Sequence, residues 1–197
     1  MSLTPIYQEV IMKQSKKLVA SLLLLTFVLS CVGCGSKKEV TCPFTEITWE
    51  NTLEDVQALE GELQDSYYSS FKGTTYVYEK EYLGLKGSIK YMFDAEDNLR
   101  SVAWLYLPES KEDLENVYAD LVKQTNKLYG ESGFNSDMST AKGAVWYLEG
   151  GNILIGVMST GVNEAVQYQF FHPEVSSKEP ANNQNNSKSY LEKIFNN

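Results

Sequence analysis

The chain has 197 residues, 43% of them hydrophobic and 22% charged, which bounds it to about one globular domain. Its net charge is −9; Lys13, Lys16 and Lys17 against Glu9 give residues 1–33 a balance of +2, so the remainder carries −11. A body this acidic repels phosphate backbones and anionic headgroups, which argues against nucleic acid as a partner and leaves any membrane contact to an anchor.

From Met12 the chain reads MKQSKK, then LVASLLLLTFVLS, then CVGCGS. Three lysines precede an uncharged apolar run of 13 residues, 18–30. At the helical rise that run reaches only about 20 Å, short of a hydrocarbon core of about 30 Å. Charged start, apolar middle and small residues at the end make a secretory signal, residues 1–33, with 1–11 read as an upstream extension of a start at Met12. The end of this segment resembles the lipobox of bacterial lipoproteins. Val32-Gly33 precede Cys34 and Gly35-Ser36 follow it; Cys31, after Val28-Leu29-Ser30, is the alternative. The resemblance implies that one of these cysteines is diacylated and becomes the first residue of an exported, membrane-anchored chain. Two acyl chains give stable anchoring where one does not. The third cysteine, Cys42, then belongs to the mature chain as a lone thiol if Cys34 carries the lipid, or as a disulfide partner of Cys34 if Cys31 does.

Residues 34–48 read as a tether and 49–173 as a single α+β domain. Leu53, Val56, Leu59 and Leu63 lie at spacings of three and four, predicting a helix over 52–63 with Thr52 and Asp55 as a capping box. The period then changes to two. Strands are predicted at 74–82, 85–94 and 99–107, with Gly84 and the 94–98 segment as reversals, forming a three-stranded antiparallel meander. A second helix is predicted from Ser110, with Asp113 at the capping-box position and Gly130 as the C-terminal stop. Its stripe is Leu114, Val117, Tyr118, Leu121, Val122, Thr125 and Leu128. After a polar loop over 131–142 come strands at 144–148, 152–159 and 164–171, with Gly150-Gly151 as a turn.

The architecture predicted is therefore an antiparallel sheet, or two three-stranded sheets, with two helices packed on one face. The halves also resemble each other, each running helix, Lys-Gly, then three strands, which suggests an αβββ duplication. Residues 174–197 form a polar, mostly disordered tail; Tyr190, Leu191, Ile194 and Phe195 sit at the spacing of a short terminal helix.

Catalytic constellations are not evident. His172 is the single histidine, read as a strand-end residue, and Asp94, Glu96, Asp97 and Asn98 form an oxygen-rich turn without the spacing of a calcium loop. No catalytic residue, metal ligand or cofactor is assigned. The 13 tyrosines and three tryptophans are the unusual feature. With Ile89, Tyr91 and Phe93 toward the helices, Tyr76, Tyr78, Trp104, Tyr106, Trp146 and Tyr168 are the candidate rings of an outward binding face. The leading expectation is a surface-anchored, non-enzymatic binding or accessory module contacting an envelope protein or glycan. The alternatives are a carboxylate-dependent cell-envelope hydrolase and an inhibitor or immunity-type protein.

Overall fold

The Thr52 hydroxyl accepts from the Asp55 N–H at 3.3 Å, and the Asp55 carboxylate accepts from the Thr52 N–H at 2.8 Å, so the capping box closes as its spacing requires. It starts helix α1, Leu53–Glu60. Gly61 at φ 83° ends the helix before residue 63, so Leu59 and Leu63 remain exposed and Val56 alone is fully buried. The computed structural model describes residues 41–138, 141–159 and 163–178, all within one compact unit. The signal segment, Cys31, Cys34 and the candidate helix at 189–195 lie outside the described residues.

Four strands follow: β1 (Asp65–Tyr68), β2 (Lys72–Tyr82), β3 (Leu85–Asp94) and β4 (Leu99–Tyr106). Helix α2 (Lys111–Tyr129) is capped by Ser110, whose hydroxyl accepts from the Asp113 N–H at 3.1 Å. Then come β5 (Phe134–Met138), β6 (Ala141–Trp146), β7 (Ile153–Ser159) and β8 (Glu164–Phe171). The strands form one antiparallel sheet in the order β1-β2-β3-β4-β8-β7-β6-β5. The α+β class and the helices on one face stand as expected. The count per half does not: each half has four strands. The missed members, β1 and β5, are the two edges, and in β1 all four side chains are exposed, so no alternation marks the strand.

Strands β4 and β8 meet at the middle of the sheet and join the halves, with Trp104 opposite Tyr168. Val102, Trp104 and Tyr106 recur on β8 as Val166, Tyr168 and Phe170, an apolar-aromatic-aromatic set at alternate positions. These residues, with Tyr78, Ile89, Tyr91, Trp146 and Ile155, form the main core beneath the helices. Fully burying a side chain of this size contributes roughly 1.5–3 kcal/mol. Trp104 reaches across Gly87 to donate to the Lys80 carbonyl at 3.1 Å. A Cβ on Gly87 would come within 2.9 Å of the Trp104 Nε1, so the crossing needs glycine there.

The body also begins earlier than residue 49. Cys42, Phe44 and Ile47 are core residues, and Phe44 meets Tyr82 and Tyr168 edge-on at 5.9 and 5.2 Å. Residues 41–48 are therefore packed chain rather than tether. At the other end, Pro173–Val175 forms a 3₁₀ turn, and Asn152 is bonded to Ser176 Oγ and the Ser177 carbonyl. The body thus runs past residue 173.

Candidate functional site

Directly opposed residues of antiparallel strands share a face, which assigns every side chain from the register. The two-residue turn Leu83-Gly84, with φ of 54° and 77°, sets Tyr82 opposite Leu85 and hence Tyr78 opposite Ile89. Tyr76 is opposite Tyr91, Trp104 opposite Ile89 and Tyr168 opposite Trp104. This face carries the helices: Tyr91 donates to Glu60 of α1 at 2.6 Å, Tyr168 lies 2.9 Å from Thr125 of α2, and Trp146 donates to Asn126 of α2 at 3.1 Å. The outward ring face is thereby corrected. Tyr78, Trp104, Trp146 and Tyr168 are buried, and Tyr76 and Tyr106 pack half-buried against the same core.

Charge is also drawn into this layer. Glu60 accepts both Lys80 Nζ bonds, at 2.8 and 2.9 Å, and the Tyr91 hydroxyl, which in turn lies 2.7 Å from Thr45 Oγ1. Burial and the Glu60 bond push the Tyr91 hydroxyl far up. Burial likewise pushes the Cys42 thiol up to about 12. A thiol held protonated and enclosed is a poor nucleophile.

The sequence singled out His172 and the 94–98 turn separately; Arg100 joins them. Asp94 Oδ1 accepts from the Glu96 and Asn98 N–H groups, while Arg100 Nε donates to Asp94 and its Nη1 to Glu174, both at 2.5 Å. His172 Nδ1 accepts from the Glu174 N–H, and its ring meets Trp49 edge-on at 5.3 Å. Burial works against the Asp94 charge, yet the Asn98 and Arg100 bonds outweigh it and bring its carboxyl down to about 2. Burial, then Arg100, lower His172. This constellation is an ion-paired latch between a hairpin and the terminal strap. Among the described residues no three His, Cys, Asp or Glu side chains come together as a metal site.

The second face is the one the helices leave. Three rows cross it. Tyr67, Thr75, Met92, Ser101 and Phe171 form the first, and Val77, Lys90, Ala103, Gln169, Leu154, Val145 and Phe134 the second. Glu79, Ser88, Leu105, Gln167, Gly156, Gly143 and Ser136 form the third. At the centre the amides lie along the sheet: Gln169 Nε2 donates to Ser101 Oγ at 2.8 Å, and Gln167 donates to Gln169. They close over Ser101 and Ala103, which are fully buried. Phe134, Val145 and Leu154 pack together beyond them. Toward β1 the surface opens. Tyr67 is 44% exposed, Val77, Lys90, Met92 and Leu105 are half-exposed, and Lys90 Nζ stands 5.5 Å from the Tyr67 ring centre. Glu79 and Glu81 border this strip.

Sequence reasoning placed Lys90 and Met92 on the face away from Ile89 but did not carry that parity across to β2 and β4. Tyr67 lay in a segment without periodicity. No family model matches the chain, and no curated protein or solved structure is similar to it.

Proposed function

We propose that this chain is an exported lipoprotein, anchored through Cys34, whose acidic body is a non-enzymatic binding or accessory module of the cell envelope. Its contact surface is the open part of the second sheet face: Tyr67, Val77, Lys90, Met92 and Leu105. The observation that carries the reading is the placement of both helices on one face, which leaves a half-exposed strip of apolar side chains with one ringed cation on the other. Such a mixture suits protein contact, where a desolvated apolar centre gives affinity and a charged rim gives register. A glycan platform would call on exposed rings, and the rings that the sequence offered for it pack under the helices. With −11 on the mature chain, the partner fitted is a protein with a net basic contact patch. The hydrolase alternative calls for an acid raised by its surroundings. The two carboxylates with resolved shifts, Asp55 and Asp94, both move down.

The test is capture from detergent-solubilised envelope with the tagged full chain. One protein should be retained stoichiometrically and released by salt. A Val77→Glu, Met92→Glu double variant, with unchanged melting temperature, should lose it by about tenfold or more, roughly 1.4 kcal/mol. Undiminished retention by the double variant, or retention of polysaccharide in place of protein, would contradict the reading.

A further inference from the structure

The two edges of the sheet differ. On β5, Phe134 and Ser136 are buried. On β1 every side chain is exposed, with Tyr67 at 44% and Tyr68 at 73%. Leu59 and Leu63, just before β1, are 42% and 41% exposed. Four of the large exposed apolar side chains among the described residues thus crowd one short stretch beside an unpaired strand. Long flat edges are normally blunted by charge, proline or a covering loop, and Asp65 is the single charge on β1.

The hydrogen-bond phase of β1 is fixed by its turn. Lys72, at φ 70°, closes a turn in which the Lys72 N–H donates to the Ser69 carbonyl and the Ser69 N–H to the Gly73 carbonyl. Since bonded and non-bonded pairs alternate along an antiparallel ladder, Asp65 and Tyr67 spend their backbone groups on β2, while those of Ser66 and Tyr68 point outward.

We propose that β1 pairs antiparallel with β1 of a second copy of this chain, about a two-fold axis passing beside Tyr67. Ser66 of each copy meets Tyr68 of the other, and all outward backbone groups of the strand are satisfied. Tyr67 faces its own counterpart, each ring carrying its Lys90. Asp65 comes opposite Ser69, so no like charges are set against each other. A two-fold that extends a sheet stands perpendicular to it, so both helix layers fall on one side. The N-terminal segment joins the body on that side, where Tyr129 of α2 donates to the Thr41 carbonyl at 3.1 Å. Both anchors then leave toward one membrane, and both open strips face away from it; this last step rests on the lipoprotein reading. A shared membrane also concentrates the copies laterally, which favours self-pairing over capture of a foreign strand.

The test is the mass of the purified full chain in detergent at micromolar concentration, by sedimentation and native mass spectrometry, together with Ser66→Pro. Proline at this position removes an outward N–H and none of the bonds to β2. The wild type should be dimeric, and Ser66→Pro monomeric with an unchanged circular-dichroism spectrum and melting temperature. Tyr67→Cys should cross-link the dimer under mild oxidation, and Asn135→Cys on the opposite edge should not. The Cys34→Ser chain should also dimerise, which separates this pairing from the anchor reading. A monomeric wild type, a dimer that survives Ser66→Pro, or cross-linking through residue 135 instead of 67 would overturn the proposal.

Discussion

Two tyrosines on the buried sheet face show how much turns on a single hydroxyl. Tyr78 and Tyr91 are both fully enclosed and their rings meet edge-on at 6.0 Å. The Tyr91 hydroxyl bridges Glu60 and Thr45 at 2.6 and 2.7 Å, whereas the Tyr78 hydroxyl is buried with no hydrogen-bond partner. An enclosed unpaired hydroxyl costs about 1–3 kcal/mol of desolvation. Tyr78→Phe should therefore raise stability by about 1 kcal/mol. Tyr91→Phe should lower it by about 1–3 kcal/mol, because the Glu60 carboxylate loses a charge-assisted donor in a dry site. Urea unfolding of the two variants checks both signs. Equal losses would show that the Tyr78 hydroxyl has a partner after all.

Between elements, the latch around Arg100 makes stability depend on pH in two separate windows. His172 is lowered by burial and by Arg100, and its neutral Nδ1 accepts the Glu174 N–H. A lowered base stabilises fully above its ordinary value of 6.5, and the contribution is lost as pH falls below 6.5, since the unfolded chain then binds more protons. Asp94 is lowered from 3.8 to about 2, so its contribution holds above 3.8 and is lost between there and about 2. After discounting for the part-exposed Arg100, the Asp94 window amounts to about 1–2 kcal/mol. In Arg100→Met the acid limb should move toward ordinary carboxylate values and the His172 limb should shrink, read by melting temperature against pH. Curves that superimpose on the wild type would contradict the latch.

The same elements show what was legible beforehand. Helix α2 and strands β3 and β8 were readable because an apolar period runs their whole length and capping residues mark the helix ends. Strands β1 and β5 were not, since edge strands need no alternation when one side has nothing to pack on. Segment 41–48 looked like a tether because Cys42, Phe44 and Ile47 fill the gap beneath the helices at irregular spacing. Facing was lost at one step. Which side Tyr78 takes depends on counting Leu83-Gly84 as a two-residue turn, and a slip of one residue moves a whole set of rings to the other face. The candidate site suffered most, since the strip at Val77, Lys90 and Met92 is defined by parity across three strands rather than by any local motif.

At the scale of the molecule, a helix and four strands are used twice, and β4 and β8 join the halves into one sheet with a helix-covered side and a working side. Every functional statement made for that working side assumes that the body is held outside the cytoplasm by lipid. The most direct test is the mass of the N-terminal peptide of the chain purified from membranes. The account predicts a peptide beginning at residue 34, with diacylglycerol on the Cys34 sulfur and residues 1–33 gone. A chain that keeps its leader, with free thiols at both Cys31 and Cys34, would contradict it.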